Sequence, residues 1–341
     1  MSIPCKGLQL RSLSGLTLIL CVGCVLAGAI IAATRCDFCG KPITDRYIEF
    51  DSRIYHPDCY QQNVAPKCAF CDQTLGENWI VYEGQNYHQQ CFERNVAIHC
   101  SRCGEIIEGE YLIDHWGNKY HKYHEQEEAS CSFCGRFLSD PVAGGGRVFG
   151  ADKWICNHCS QDAITDETAG GKILQQVRER LDKSGIVINQ ETIEFKLVTR
   201  DQFAKLLDQD ITNQFGLTRY EHVEYLGFLE DKQLTIYILT GLHRMHFIST
   251  AAHELMHAWL FLNIPDGGDK RLIEGSCNYA SLMVLRQLDD EMAGYVIRQL
   301  EDEPDPVYGE GFRRVKRLAE NRGVQYWLEH LRFDPTFPIG Y

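Results

Sequence analysis

Cysteine almost vanishes from the second half of this sequence: fifteen of the sixteen lie before residue 160, and Cys277 alone follows. At 16 of 341 residues, about 5%, it also falls short of the ~8–10% that marks a small disulfide scaffold, and a chain this long can bury an ordinary core without cross-links. Positive charge is scarce as well. Thirty-four Lys and Arg against 47 Asp and Glu leave a formal charge of −13, which excludes a nucleic-acid backbone as the expected partner. With 24% charged and 44% hydrophobic residues, the chain has neither the composition of a disordered polymer nor that of a multi-span membrane protein.

One long uncharged run is present, from Leu13 to Ala33, behind Lys6 and Arg11. It is long enough for a helix across a bilayer of ~30 Å, and its basic start and small residues at Ala27-Gly28-Ala29 and Ala32-Ala33 also suit a secretory signal. Residues 1–35 are therefore expected to be a transmembrane anchor or a cleaved signal. The rest would then be membrane-anchored with extracytoplasmic domains, or secreted.

The cysteines repeat. Cys36-x2-Cys39 recurs as Cys68-x2-Cys71 and Cys100-x2-Cys103 at intervals of 32 residues, and as Cys131-x2-Cys134 after 31 more. Each pair is answered downstream, by His56 and Cys59, His88 and Cys91, His121 and His124, and Cys156 and Cys159. Two thiolates converging from a Cys-x2-Cys knuckle and two more donors close a tetrahedron around zinc. Disulfides, the alternative, have no need of the histidines, and the first two units would each leave one of their three cysteines unpaired. Residues 36–165 are read as four tandem units holding about four structural Zn2+, each with too small a core to fold without metal.

The later half carries His253-Glu254-Leu255-Met256-His257 in a stretch free of Gly and Pro that reads as a helix, with Ser249 as its cap. Histidines at i and i+4 share a face and reach one zinc, and Glu254 borders that face as a base. Glu274, seventeen positions after His257 and beyond a turn at 264–269, is the expected third ligand. Asn278 falls one turn further on the same face and can steady a ligand. Two histidines and a glutamate with an open fourth position make a catalytic zinc set. Tyr308, His330 and Arg313 are the options for stabilising an oxyanion, with Tyr308 first and His330 second. Leu234–Thr240 reads as a strand, either an edge able to hold an extended peptide or plain core, and 210–233 is ambiguous. Cys277 is read as a buried small apolar residue.

"YHPDCYQQNVAPKC" and "NYHQQCFERNVAIHC" resemble the joints between LIM-type zinc fingers, although eight, eight and six residues separate successive ligand sets where a regular LIM module has two. "LTIYILTGLHRMHFISTAAHELMHAWLFL", "LIEGSCNYASLMVL" and "DPVYGEGFRRV" resemble the peptidase domain of the plant DA-one family of LIM-domain-linked zinc metallopeptidases. The resemblance implies zinc on His253 and His257, Glu254 as base, and Glu274 as third ligand. Where that family has a ubiquitin-interacting segment, this chain has the hydrophobic run, so the layout is that of a prokaryotic or exported relative.

The expected architecture is α+β: tandem LIM-like zinc ribbons, then a mainly helical zincin-type metallopeptidase domain with a small sheet over 166–341. The expected function is zinc-dependent hydrolysis of protein or peptide substrates, one catalytic Zn2+ doing the chemistry. The fingers would recruit substrate or protein partners, with no nucleic acid, and the N-terminal segment would meet a membrane. The alternative is a catalytically inert zinc-finger adaptor. Zinc count separates the two, five per chain for the enzyme and four for the adaptor.

Overall fold

The computed structural model describes residues 9–12, 16–17, 35–76, 78–126, 129–150, 153–189, 193–207, 214–225, 228–264 and 268–340. The chain divides into two compact units, Gly7–Glu127 and Glu128–Tyr341.

The first unit repeats one small design three times. A Cys-x2-Cys knuckle is pinched by a backbone bridge, Arg35 to Pro42, Lys67 to Thr74 and His99 to Ile106. The residue after each second cysteine turns left-handed, at Gly40 (φ 68°), Asp72 (57°) and Gly104 (79°). Glycine and aspartate are among the few residues that take this conformation cheaply. A two-stranded hairpin follows: Ile48–Phe50 with Arg53–Tyr55, Ile80–Tyr82 with Gln85–Tyr87, and Glu110–Ile113 with Lys119–His121. Each hairpin buries one tyrosine beside the first metal-ligating histidine, at Tyr55, Tyr87 and Tyr120. A short helical turn closes each repeat, at Pro57–Asn63, Gln89–Asn95 and Lys122–Gln126. In the first repeat the fully buried residues packed together are only Cys36, Ile43 and Tyr55. Cores that small do not stand alone without a metal or other staple.

The N-terminal reading needs correction. No helix among the described residues is long and apolar enough to cross a membrane, so the expected membrane anchor is not supported. The described parts of that segment are strands: Gln9–Ser12 pairs with Glu110–Ile113, and Leu16–Thr17 with Val81–Tyr82. Their backbone hydrogen bonds go to neighbouring strands and not along a helix. The remainder of 13–33 lies outside the described residues.

The second unit opens with the fourth ribbon, Gly146–Gly150 paired with Lys153–Cys156, again entered through a left-handed glycine, Gly135. Helix α1 (Glu167–Lys183) is capped by Asp166, which accepts from Ala169 N at 2.7 Å, and buries Ile173, Leu174, Val177 and Leu181 at helical spacing. Strand β1 (Ile193–Val198) and helix α2 (Arg200–Leu207) follow. The ambiguous stretch is a long hairpin, β2 (Gly216–Tyr225) with β3 (Phe228–Leu239). The sheet order is β1-β3-β2, so the strand spanning 234–239 is central and β2 is an edge. Of the two readings of 234–240, that favours plain core over a peptide-holding edge: a nearly continuous buried run, Leu234, Thr235, Ile236, Ile238 and Leu239, suits a central strand covered on both faces.

Helix α3 (Arg244–Asn263) begins five residues earlier than Ser249, because the His243 side chain accepts from Met245 N at 3.1 Å and takes the capping role. Helix α4 (Lys270–Leu285), capped by Asp269, packs along α3, and Ser281 Oγ donates to Ser249 O at 2.7 Å. Three helices follow, α5 (Glu291–Asp302), α6 (Gly311–Arg322) and α7 (Val324–Phe333). Gly323, at φ 90°, separates the last two. The architecture is a mixed α+β one with a small sheet, as expected.

Gly275 lets α4 meet the start of α6: a Cβ there would strike the Gly311 carbonyl and lie 2.7 Å from Phe312 N, all rigid backbone. Gly275→Ala is expected to destabilise the second unit by at least ~1–3 kcal/mol, the usual cost of overpacking, read as a lower midpoint in urea.

Candidate functional site

The four cysteine-rich sets have the spacing of metal shells. All thirteen cysteines from Cys36 onward are free thiols. Cys36, Cys39, His56 and Cys59 form one set, Cys68, Cys71, His88 and Cys91 a second, Cys100, Cys103, His121 and His124 a third, and Cys131, Cys134, Cys156 and Cys159 a fourth. Within each set the donor atoms lie within 4.8 Å of one another. Zinc with S at ~2.3 Å and N at ~2.0–2.1 Å in a tetrahedron separates ligands by roughly 3.5–3.8 Å. The observed edges include Cys39 Sγ to His56 Nδ1 at 3.4 Å, Cys71 Sγ to His88 Nδ1 at 3.4 Å, Cys103 Sγ to His121 Nδ1 at 3.5 Å and Cys134 Sγ to Cys156 Sγ at 3.7 Å. A disulfide would need ~2.05 Å.

The histidines are oriented for this. His56 Nε2 lies 3.1 Å from Pro42 O, His88 Nε2 3.2 Å from Thr74 O, and His121 Nε2 3.2 Å from Ile106 O. A proton donated from Nε2 to a carbonyl leaves the Nδ1 lone pair facing the thiols. Burial raises the Cys36 and Cys68 thiols, but backbone N–H groups aimed at each sulfur outweigh it and bring both down to about 6. The Cys/His clusters can therefore hold zinc.

A further cluster is built by two helices of the second unit. His253 and His257 stand one turn apart on α3, their Nε2 atoms 3.2 Å from each other. Glu274 on α4 brings Oε2 to 3.4 Å from His253 Nε2 and 3.5 Å from His257 Nε2. Zinc held tetrahedrally by N and O at ~2.0–2.1 Å spaces its ligands by roughly 3.3–3.4 Å, so three donors stand near the right separation. Glu274 Oε2 is buried and makes no hydrogen bond. Burial pushes the Glu274 carboxyl up, and the two imidazoles more than reverse this, leaving it far below the usual carboxylate range. An ionised, buried oxygen with no proton donor, facing two imidazole nitrogens, suits a shared cation.

Asn278, one turn beyond Glu274, orders the cluster. Its Oδ1 is 3.0 Å from His253 Nδ1 and takes the proton there, turning the Nε2 lone pair toward Glu274. The Asn278 amide in turn donates to Tyr308 O at 3.1 Å. Cys277 is fully buried, with Sγ within 4.8 Å of both imidazoles. Glu274 is the better third donor, its carboxyl held low, whereas burial holds the Cys277 thiol well above its ordinary value.

Glu254 is 4% exposed. Thr218 Oγ1 lies 2.8 Å from its Oε2 and 2.9 Å from its backbone O. A Cβ on Gly216 would lie 2.6 Å from Glu254 Oε1, so only glycine fits there. Both contacts come from β2, in the stretch where the sequence shows no clear element. The signal that could have found them is the small-residue spacing Gly216-Leu217-Thr218 ahead of the strand.

The three oxyanion options part company. Tyr308 is half-buried in a π-helical turn, Pro306–Glu310, and burial first, then the charges of Glu274 and Asp305, push its phenol up to about 12. Arg313 is committed to the carbonyls of Glu301 and Glu303, at 3.1 and 2.8 Å. His330 is not brought to the cluster: its Nε2 lies 2.7 Å from Thr336 O, and its ring stacks on Tyr326.

Zinc-ribbon repeats joined to a helical unit with a histidine–glutamate cluster define the class of chain. Residues 284–334 match the DA1-like family, described as Protein DA1. That segment contains Tyr308, Arg313 and His330 but ends short of the histidine–glutamate cluster on its N-terminal side. Protein DA1-related 2 of Arabidopsis thaliana is 23% identical over 66% of this chain and 54% of its own length. Protein DA1 of the same plant is 28% identical over 38% of this chain and 28% of its own. The LIM domain-containing protein HDR3 of Oryza sativa subsp. japonica is 21% identical over 66% and 57%. The chain thus spans about half, or less, of the length of these relatives. No solved structure matches it. Together the matches support the DA1 family as the chain's kin.

His257→Ala is expected to lower the zinc content by one ion and leave the cysteine-bound ions in place, as counted by native mass spectrometry of the full chain.

Proposed function

We propose that this chain is a zinc-dependent peptidase whose metal is held by His253, His257 and Glu274 and whose base is Glu254. The carrying observation is the buried, hydrogen-bond-free Glu274 oxygen 3.4 and 3.5 Å from the two imidazole nitrogens. Zinc bound there supplies a Lewis acid for a peptide carbonyl and lowers the pKa of water.

The side chains around it divide the remaining work. Asn278 fixes the tautomer of His253. Thr218 donates to Glu254 Oε2 and leaves Oε1 to take a proton from the attacking water and hand it to the leaving amine. The backbone at Gly216 lies against Glu254 and limits its rotation. Tyr308, kept protonated by burial and neighbouring carboxylates, is the donor for the developing oxyanion. Edge strand β2 runs beside Glu254 and offers main-chain groups to an extended peptide. Phe261, 44% exposed, stacks between Tyr220 and His257 and gives an apolar shelf next to the metal ligands. The zinc ribbons of the first unit serve to bind protein partners.

Glu254→Gln is expected to lower kcat on a protein or peptide substrate by ~10²–10⁴-fold with zinc content unchanged. Full-rate hydrolysis by that variant would exclude this base, and a wild-type chain that hydrolyses nothing would leave the adaptor reading. Thr218→Val removes one hydrogen bond to the base, and a loss of about tenfold in kcat is expected.

A further inference from the structure

The four ribbons share a register position that they use differently. The residue before the second knuckle cysteine is phenylalanine in three of them, Phe38, Phe70 and Phe133. Phe38 and Phe70 are 53% and 56% exposed, so the knuckle itself does not require this ring to be covered. Phe133 is fully buried. It sits edge-on to Phe149 at 4.9 Å and to His246 at 5.0 Å, and against Phe215 at 6.3 Å. His246 belongs to α3, the helix of His253 and His257, and is itself buried, with Nε2 3.0 Å from Gln299 Oε1 on α5. Gly135, two residues on, lies directly against the Tyr295 hydroxyl of α5.

Phe215 is the other end of a short path. Its carbonyl accepts from Leu239 N at 2.9 Å, which fixes the start of β2 to the end of β3. Lys153, next to the ribbon's last strand residues, lies over its ring at 5.3 Å. Gly216 follows, in contact with Glu254, and Thr218 donates to Glu254 after that. From the ribbon's knuckle to the glutamate there are thus only Phe133, Phe215 and two residues of strand.

We propose that the fourth ribbon is a positioning part of the catalytic unit and acts through Phe133, which wedges Phe215 so that Gly216 and Thr218 hold Glu254 in place. Phe133 is a positioning residue, since its ring meets Phe149, Phe215 and His246 and not His253, His257 or Glu274. This rests on the reading of Glu254 as base, but its effect on strand β2 exists whether or not the chain cleaves peptides. The metal of Cys131, Cys134, Cys156 and Cys159 thereby acquires a role separate from that of the first three, because it fixes the knuckle that carries Phe133.

The test uses the full-length, zinc-loaded chain with Phe133→Ala, the milder Phe133→Leu, and Phe38→Ala as control. Hydrogen–deuterium exchange is followed at the amides of 215–218, and kcat, KM and zinc count are measured alongside. Phe133→Ala is expected to keep the wild-type zinc count, speed exchange at 215–218 by about tenfold, and lower kcat by a similar factor with KM little changed. Phe133→Leu should fall between, and Phe38→Ala should match wild type in zinc count and in exchange at 215–218. Wild-type exchange at 215–218 in Phe133→Ala overturns the proposal. Should that variant lose its fold, wild-type exchange at the same amides in Phe133→Leu overturns it instead. A wild-type chain that cleaves nothing defeats the peptidase reading, and the exchange measurement still decides this one.

Discussion

A carboxylate oxygen buried against two imidazole nitrogens, with no hydrogen bond of its own, is difficult for a protein to hold. Taking an ionised carboxylate out of water costs several kcal/mol unless a charge or a proton meets it. In this chain that cost is offset by convergence. Helix α3 presents His253 and His257 on one face, and α4 returns Glu274 to within 3.5 Å of both. Much of the second unit holds those two helices at that distance. Gly275 removes the side chain that would keep α6 away from α4, Ser281 ties α4 to the backbone of α3, and Trp327 on α7 donates to Ser276 at 3.1 Å. The residues flanking Glu274 are thus fixed from behind, and its carboxylate has one direction left.

The same logic orders what surrounds the cluster. A histidine that holds a cation through Nε2 must give its Nδ1 proton to something, and Asn278 accepts it from the helix that carries Glu274. Asn278 then binds the carbonyl of Tyr308, so the π-helical turn bearing the candidate oxyanion donor is registered against the metal ligands by one amide. Glu254, next to His253 on α3, is met by Thr218 and Gly216 of β2. Metal ligands are held by helices, and the base by a strand.

What could be read from the sequence follows from how local each signal is. The knuckles, the i and i+4 histidines and the burial stripe of α1 are fixed within a few residues, and each is visible as spacing. Glu274 and Asn278 needed only one further step, a turn between two helices. Thr218 and Gly216 lie 36 and 38 positions before Glu254, in a stretch with no clear periodicity, and only the hairpin brings them to it. His330 illustrates the reverse error: a histidine late in the chain looks available, yet Thr336, six residues on, already occupies its Nε2. The strand over 234–240 reads equally as an edge or as plain core, because the sequence holds no sign that β1 and β2 flank it. The apolar run at 13–33 suggests a bilayer by length alone, whereas Leu16–Thr17 within it pairs with another strand.

The four ribbons look equivalent when only ligand spacing is compared, and the structure separates them by what one ring does. In a ribbon whose own core is a few residues, metal holds the knuckle rigid, and the ring next to the second cysteine becomes a fixed projection at little entropic cost. Left in water, as with Phe38 and Phe70, such a ring is apolar surface on a stiff support, which is what a protein partner can use. Pressed among Phe149, Phe215 and His246, as with Phe133, it becomes part of the second unit's own packing. One repeated device therefore serves two ends, and burial of a single position distinguishes them. The division of the chain after Glu127, which leaves the fourth ribbon with the helices, follows the same line. On the proposed reading, metal at the cysteines would hold the strand that meets Glu254, and metal at the histidines would hold the site beside it.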